Sequence, residues 1–471
     1  MTMGGRADGR TGMFVAMLMA VWPSVRPAVG QDTSAIDRGV RIGIIYRPGV
    51  RPGFVMLPRP GRGLDSTRVI IARDLDYSDR FEVITLPGGD SIRLATPGAP
   101  AGRARPGAAP AATGSGGGAQ AAVLNYPLYQ ALGADFALDL TAAGDTTVVT
   151  LHDVAAGGVR RTIRARLPAP TQADFRQAVH RLADQVLQAA LGVPGIAATR
   201  VLFVRDGKVY QIDQDGAELK LVSASDRQAM SPAWAHDGRR FAYMEFQAGR
   251  GQLFVHDVAA GKRVAVAATG TALDFTPAFA PDGQTLAFSR ATEEGTDIYT
   301  INVKDNCCLR RLTVGRFSDN LSPTFSPDGQ RIAFVSTRPG LPQLYVMAAD
   351  GTDQQLFAPF DYGVTGSSNA PEWSPDGQSV AFHRDVAGTL QVFVLDARSR
   401  TVRQLTSVGR NEDPTWAPDS RHLAFVSDRS GYRQLWIIDL DTGRIRPLLQ
   451  QSGARLPAWS PRLPEATSST P

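Results

Sequence analysis

The chain has 471 residues, of which 43% are hydrophobic and 20% are charged, and its formal net charge is +5. This length exceeds that of one ordinary domain, so two or three units are expected. The basic residues are scattered rather than gathered into a patch, which argues against a dedicated nucleic-acid-binding surface.

The first thirty residues predict an export signal. Arg6 and Arg10 provide a positive start, and residues 13–22 form an apolar run that is too short to anchor the chain in a bilayer. Small residues then precede Gln31, where cleavage is expected, and the alternative is a buried N-terminal helix. No Cys stands at the cleavage point, so we expect an exported, soluble mature protein without a lipid anchor.

Residues 31–197 mix strand and helix patterns, which predicts a small α/β domain. An amphipathic stretch covers residues 66–77. Strands are expected at residues 40–46, 81–84, 136–140, 148–153 and 159–165.

The clearest helix pattern covers residues 172–191. Thr171 is the expected N-cap, with Asp174 in the capping-box position, and Gly192 is expected to end the helix. One face is apolar, and it consists of Phe175, Val179, Leu182, Val186 and Leu187.

Residues 87–122 consist almost entirely of Gly, Ala and Pro with a few Arg. Such a composition cannot bury enough apolar surface to order itself, so a flexible insertion is expected. The glycine cluster at 113–118 is not followed by Gly-Lys-Ser/Thr, which argues against a phosphate-binding loop.

One phrase recurs six times in the rest of the chain. It reads Pro-Ala-Trp-Ala-His-Asp-Gly at 232–238 and Pro-Thr-Phe-Ser-Pro-Asp-Gly at 323–329, and successive copies start 45, 46, 48, 43 and 43 residues apart. This period, with several short strands in each unit, is typical of a β-propeller. The aromatic residue of each copy is expected to pack between blades, and Pro-Asp-Gly to form a hairpin turn.

The two ends of the repeat array predict how the ring closes. The sixth copy, at 457–463, has no strands after it, whereas residues 201–222 contain three strands without a first one. The last strand should therefore complete a composite sixth blade, which removes exposed sheet edges. The predicted fold is an α/β domain at 31–197, then a six-bladed propeller at 198–463, with a disordered tail at 464–471.

The sequence offers no recognisable catalytic or metal-binding constellation. It contains no Gly-x-Ser-x-Gly motif, and its six His show no ligand spacing, so we interpret them as turn or surface residues. Cys307 and Cys308 are adjacent and cannot cross-link a core, and we favour two unpaired thiols. We therefore expect no catalysis, cofactor or metal, although the sequence leaves open the alternative of a cation bound in the central channel.

The loops that lead into the first strand of each blade are the candidate recognition surface. The loops differ in chemistry from copy to copy while the strands stay alike, as a binding face requires. The alternative is that the loops vary only because nothing constrains their sequences. These loops are residues 226–231, 273–276, 317–322, 366–370, 410–413 and 452–456.

Together these features resemble the TolB family of periplasmic propeller proteins, which carry TolB/WD40-like (PD40) repeats. Three stretches carry the resemblance: Gly-Ile-Ala-Ala-Thr-Arg-Val at 195–201, Met-Ser-Pro-Ala-Trp at 230–234 and Pro-Ala-Trp-Ser-Pro at 457–461. The insertion at 87–122 and the Pro-, Gly- and Arg-rich segment at 46–60 depart from the family pattern.

The resemblance implies a monomeric periplasmic adaptor of the Tol–Pal envelope system, which supports outer-membrane integrity and constriction during cell division. It meets the membrane only through partners and binds no nucleic acid. The propeller mouth would bind a Pal-like peptidoglycan-associated lipoprotein through Asp274, Phe275, Asn320, Leu321, Asn369, Asn411, Glu412 and Arg455. The mature N-terminus would bind a TolA-like inner-membrane protein through Gln31, Asp32, Thr33, Ser34, Ala35 and Ile36.

Two other functions stay open at this point. A secreted carbohydrate-active or peptidase-like propeller enzyme would need acidic or His clusters converging on the channel. A scaffold of a different envelope complex would keep the fold and change the partners.

Overall fold

The computed structural model describes residues 51–57, 64–84, 124–224, 226–247, 250–266, 272–316, 318–360 and 366–464. The expected export signal, the segment at 31–36, the strand at 40–46, the insertion at 87–122 and nearly all of the tail lie outside the described residues. Within the described part of the chain, no helix is long and apolar enough to cross a membrane.

The first part of the fold is a five-stranded sheet with three helices. In chain order its elements are β1 (Gly53–Met56), α1 (Asp65–Tyr77), β2 (Glu82–Ile84), α2 (Tyr126–Ala131), β3 (Phe136–Ala143), β4 (Thr146–Asp153), β5 (Gly158–Arg166) and α3 (Phe175–Leu191). The sheet order is β2-β1-β3-β4-β5, in which β1 runs parallel to β2 and β3, and the remaining pairs are antiparallel. Strand β1 and helix α2 were not predicted, since each is short and β1 adjoins a Pro- and Gly-rich segment.

One side of this sheet packs against α1 and α3. Phe54 and Phe136 of the sheet are fully buried against Ile71 of α1 and Val179 of α3. The apolar face predicted for α3 is confirmed, since all five of its residues are buried. Packing of this amphipathic face, rather than helix propensity, is the main source of the helix's stability.

The start of α3 differs from the prediction. The helix begins at Phe175 with Asp174 at the N-cap, so Thr171 is not the cap and no side chain bonds the first turn. Residues 170–174 instead form turns, in which the Ala169 N–H donates to Gln172 Oε1 at 2.9 Å. The helix ends as predicted, at Gly192 with a φ of +75°.

The rest of the chain forms six four-stranded antiparallel sheets arranged as a propeller. Blades 1 to 5 follow the chain: β9 (Ala229–Trp234) to β12 (Lys262–Ala265), β13 (Leu273–Phe279) to β16 (Cys307–Arg311), β17 (Asn320–Phe325) to β20 (Gln355–Leu356), β21 (Ser368–Trp373) to β24 (Val402–Gln404), and β25 (Asn411–Trp416) to β28 (Ile445–Leu449). The middle strands are β10 (Arg240–Gln247), β11 (Arg250–Asp257), β14 (Thr285–Thr292), β15 (Gly295–Asn302), β18 (Arg331–Ser336), β19 (Gln343–Ala348), β22 (Ser379–Val386), β23 (Thr389–Asp396), β26 (His422–Ser427) and β27 (Gln434–Asp439).

The sixth blade is composite, as predicted. It joins β6 (Arg200–Arg205), β7 (Lys208–Asp213) and β8 (Lys220–Leu221) to the last strand, β29 (Arg455–Trp459). Trp459 lies opposite Val201 in the antiparallel register, and its Nε1 donates to Thr199 Oγ1 at 2.8 Å. The two ends of the propeller sequence are therefore bonded to each other, and the ring is closed.

The repeat phrase has the structural role that its chemistry predicts. Trp373 of blade 4 packs against Leu344 and Phe357 of blade 3, so the aromatic residue lies between neighbouring sheets. In the turn of blade 2, Asp282 accepts the backbone N–H groups of residues 284 and 285, and Gly283 has a φ of +64°. Burial between blades thus joins units that are individually too small to form a core.

The interpretation of the cysteines was wrong. Cys307 and Cys308 form a disulfide at the start of β16, on the exposed outer strand of blade 2. Cys308 has a φ of +65°, which breaks the alternation of a regular strand and lets neighbouring side chains point to the same side.

Candidate functional site: the open face of the propeller

The first strand of every blade is interrupted where it lines the central channel. In each blade the residue before the first Pro of the repeat has a positive φ, and the register to the second strand shifts there. These residues are Ser231, Thr276, Ser322, Ala370, Asp413 and Leu456. The following Pro has no N–H to donate to the neighbouring strand, so a bulge is tolerated there. The bulge also changes the direction of the side chains that precede it.

The side chains two positions before the bulge point into the blades. This contradicts the expectation for Asp274, Asn320 and Asn411, which are 4%, 0% and 0% exposed. Asp274 accepts two hydrogen bonds from Arg290, at 2.7 and 2.8 Å, on the adjacent strand. The three residues lie on the first strands of their blades, but strand alternation turns their side chains away from solvent.

The two buried asparagines connect neighbouring blades. Asn320 of blade 3 donates to Asp297 of blade 2 at 3.0 Å and accepts from Ser336 at 2.8 Å. Asn411 of blade 5 donates to Gln391 of blade 4 at 2.9 Å. A fully bonded polar network of this kind holds the first strands in one position, which keeps the channel mouth rigid.

The residue just before each bulge lies on the opposite side of its strand from the buried one, and the bulge residues that follow line the mouth of the channel. We call the six side chains just before the bulges, one from each blade, the channel ring: Met230, Phe275, Leu321, Asn369, Glu412 and Arg455. All are half-buried except Arg455, which is exposed. Blades 1 to 3 contribute apolar side chains and blades 4 to 6 contribute polar or charged ones, so the ring has two chemically different halves.

Large exposed apolar side chains of blades 3 and 5 lie at the same end of the propeller as the channel ring. Val314 and Val408, in the loops that lead into blades 3 and 5, are 74% and 63% exposed. Leu341 and Tyr432, in the turns between the second and third strands of blades 3 and 5, are 49% and 68% exposed. All four lie at the strand ends that carry the channel ring, and together with the ring they define what we call the open face. Exposed apolar groups gathered around a rigid mouth are typical of a protein-binding surface.

The channel below the open face contains two carboxylates. Glu372 accepts from Thr415 Oγ1 and from the Trp416 N–H, each at 3.1 Å. Burial raises the pKa of Glu372 to about 7 and raises the pKa of Asp413. The surrounding cavity of about 310 Å³ is lined mainly by the Pro and aromatic residues of the repeat phrases.

The opposite end of the propeller is joined to the α/β domain through the turns that follow the first and third strands. Asp79, just after α1, accepts from Arg444 at 2.9 Å and lies 3.3 Å from His422 Nε2. Its backbone oxygen accepts from Arg421 at 3.0 Å, and Arg421 also bonds Asp439. His422 is fully buried, and its Nδ1 lies 2.7 Å from Asp419.

A second buried network links the same two parts. His180 of α3 is fully buried, with Nδ1 2.7 Å from Asp74 and Nε2 3.6 Å from Asp213. Asp215, beside it, accepts hydrogen bonds from Arg73 and Arg176. The interpretation of these histidines as turn or surface residues was therefore wrong. Sequence spacing gave no signal, because Asp74 lies 106 residues from His180 and Asp79 lies 343 residues from His422.

Each network contains three potential metal ligands within 4.8 Å of one another: Asp74, His180 and Asp215, and Asp79, His422 and Asp439. Guanidinium groups already bond Asp215 and Asp439. Each His is also flanked by carboxylates, and although burial lowers the pKa of a His, these carboxylates raise the pKa of both to about 9. We interpret the networks as ion-pair links between the two parts of the chain.

The fold defines the class of protein: a closed six-bladed propeller with an α/β domain on one end and the open face on the other. A family profile described as "TolB beta propeller domain" matches residues 188–361 and 362–465. The chain belongs to the TolB β-propeller family.

Similar proteins agree with this assignment. A Tol-Pal system protein TolB from Methylococcus capsulatus is 34% identical over 260 residues, covering 53% of this chain and 55% of that protein. The corresponding protein from Alcanivorax borkumensis is 31% identical over 128 residues, covering 26% of this chain and 29% of that protein. The matched region thus spans about half, or less, of these relatives.

One solved structure shows the same fold over nearly the whole chain. TolB from Acinetobacter baumannii superposes with a TM-score of 0.70 at 22% identity, covering 88% of this chain and 98% of that chain. The resemblance expected from the sequence is thereby confirmed for both the family and the architecture.

Proposed function

We propose that the chain is a non-enzymatic periplasmic adaptor of the Tol–Pal envelope system, which binds a Pal-like lipoprotein on its open face. The observation that carries the proposal is the channel ring with its exposed apolar rim, on the end of the propeller that the α/β domain leaves uncovered. Membership of the TolB family and the names of the curated relatives support this choice of partner.

Five of the residues predicted from the sequence stay candidates for direct contact: Phe275, Leu321, Asn369, Glu412 and Arg455. The two halves of the ring favour a partner segment with an apolar side facing blades 1 to 3 and a polar side facing blades 4 to 6. Asp274, Asn320 and Asn411 would act indirectly, by holding the strands that present the ring.

A second partner would bind elsewhere. The segment at 31–36 lies outside the described residues, and the resemblance to the family supports a TolA-like inner-membrane protein as its partner. An adaptor with two separate contact regions would connect the inner membrane to the outer membrane, and would thus support outer-membrane integrity and constriction during division.

The positions of the two buried histidines favour binding over catalysis at the domain interface. The two His-carboxylate groups are sealed between the domains, where neither His180 nor His422 has any exposed surface. A substrate could not reach them without separation of the domains, and a general acid or base needs direct access to its substrate.

The test is a binding titration of the full exported chain with the soluble domain of a Pal-like lipoprotein from the same envelope. Leu321→Glu in the ring and Tyr432→Ala on the rim should each weaken binding at least about tenfold, as expected for central anchors of an interface. The control is Val264→Glu, on the exposed outer strand β12, which should bind like the parent. Absence of binding by the folded parent would overturn the proposal, as would equal weakening in the control.

The second contact is tested with a variant lacking residues 31–36. It should lose binding to a TolA-like domain and keep its affinity for the Pal-like lipoprotein. If the unmodified chain binds neither the Pal-like lipoprotein nor the TolA-like domain, a scaffold of another envelope complex becomes the better explanation. Unchanged binding of the TolA-like domain would contradict the assignment of this segment.

A further inference from the structure

A large cavity lies between the α/β domain and the propeller, on the side away from the open face. Its volume is about 880 Å³, and its walls come from β5, from α3, from the linker after α3 and from the residues after β29. Four arginines line it: Arg160, Arg161, Arg181 and Arg462. We call this cavity the arginine cleft.

Two of these arginines have no carboxylate partner among the residues that the structure describes. Arg462 donates to the backbone oxygens of Gly195 and Pro418, at 3.2 and 3.0 Å, so both acceptors are neutral. The Nε of Arg181 is buried and, among the described residues, has no hydrogen-bond partner. A buried donor without a partner is costly, and an oxyanion in the cleft would give the guanidinium groups of Arg181 and Arg462 a charged acceptor.

The acidic groups nearby do not supply that acceptor. Asp184 lines the cleft, but its two oxygens accept the backbone N–H groups of Ala197 and Ala198, at 2.8 and 3.0 Å. Burial raises the pKa of Asp184 to about 6, so the charge it contributes is small in mildly acidic solution. Within the described ranges, Arg160 is the one cleft arginine with a carboxylate partner, Asp153, at 3.2 Å. Positive charge therefore exceeds negative charge on the cleft walls.

We propose that the arginine cleft binds a small molecule carrying two or more phosphate or carboxylate groups. The planar guanidinium group presents paired N–H donors that match both kinds of oxyanion. The volume lies within the range of sites that hold small ligands. Such a ligand would use arginines from β5, from α3 and from the segment after β29, and so would touch both parts of the chain at once.

The position of the cleft gives binding a structural consequence. The linker at 194–199 forms one wall and connects α3 to the composite blade. A ligand held by both sides would favour the joined arrangement of the domains and would therefore raise the thermal stability of the folded chain. This inference is independent of the partner on the open face.

The experiment is a calorimetric titration of the full chain with pyrophosphate and, separately, with citrate, each at constant ionic strength set with sodium chloride. Binding of either probe is expected, and the comparison decides between phosphate and carboxylate chemistry. Arg181→Gln and Arg462→Gln should each weaken that binding at least about tenfold, since a charge-assisted contact is lost. Arg161 also lines the cleft but is exposed, so Arg161→Gln should weaken probe binding without disturbing buried contacts.

The matched control is Arg164→Gln, which removes an exposed arginine of the same strand β5 that does not line the cleft. It should bind the probe like the parent. A melting experiment adds an independent readout, since the probe should raise the melting temperature of the parent and of Arg164→Gln more than that of Arg181→Gln. Failure of the folded parent to bind either probe would overturn the proposal, and so would equal weakening in Arg164→Gln.

Discussion

The buried His422 makes the stability of the joined domains depend on pH. Asp419 and Asp79 lie 2.7 and 3.3 Å from its ring nitrogens, and Asp439 lies at 3.9 Å. Replacement by Gln removes the positive charge and leaves these carboxylates with fewer cationic partners. Because Asp79 comes from the α/β domain and His422 from blade 5, the substitution weakens the contact between them.

The size of the effect follows from the pKa. Burial lowers the pKa of His422, but the three carboxylates raise it from 6.5 to about 9 in the folded chain. This rise corresponds to about 3 kcal/mol of additional stability, fully present below pH 6.5, where both folded and unfolded chains hold the proton. Above pH 6.5 the unfolded chain releases the proton first, so stability falls as the pH approaches 9. About 2 kcal/mol should be lost between pH 7 and pH 9.

The assay is urea unfolding of the parent and of His422→Gln at pH 7, 8 and 9. The parent should lose stability across this range, and the variant should be less stable at pH 7 with a shallower dependence on pH. His180, whose pKa is also raised to about 9, accounts for a remaining slope in the variant. The control is His256→Gln, since burial lowers the pKa of His256 and places its titration below this range. A parent whose stability does not change from pH 7 to pH 9 would refute the reasoning, as would a variant with the full parental slope.

Two further predictions concern the closure of the ring and the sheet of the α/β domain. Trp459→Ala should destabilise the chain by about 3–5 kcal/mol in chemical unfolding, because it empties a buried site in the closing strand and removes the bond to Thr199. The exposed Val314→Ala is its control, and a loss below about 1 kcal/mol in Trp459→Ala would contradict the closed ring. Gly53→Ala should cost at least about 2 kcal/mol, since a Cβ there would lie 1.9 Å from the Gly133 backbone oxygen. Gly158→Ala, where a Cβ meets nothing within 4 Å, should be nearly neutral, and equal stability of the two variants would contradict this packing.

The two ends of the propeller differ in the side chains that they present. The end with the channel ring is rigid, open and partly apolar, as a recognition surface should be. At the other end, blades 5 and 6 carry the charged links to the α/β domain. Blade 5 reaches both ends, since Glu412 of its first strand belongs to the channel ring and His422 of its second strand lies 3.3 Å from Asp79 of the α/β domain.

The sequence by itself determined the propeller, its blade number and its closure. The repeat phrase acts locally: Pro, Asp and Gly specify the turn, and the aromatic residue specifies an interblade position, so each copy predicts its own structure. The incomplete ends of the array were enough to predict that Trp459 pairs with the strand at 200–205. The helix at 175–191 was predictable for the same reason, since its apolar period lies within one segment.

Only the tertiary structure decided which side chains of the channel strands face outwards. The bulge at each X-Pro step depends on the neighbouring strand, and it leaves Asp274 and Asn320 buried while Phe275 and Leu321 stay partly exposed. The domain links and the arginine cleft were equally hidden, because Asp79 and His422 are 343 residues apart. Charge pairs and cavities of this kind arise from the packing of distant segments, for which a single sequence carries no local signal.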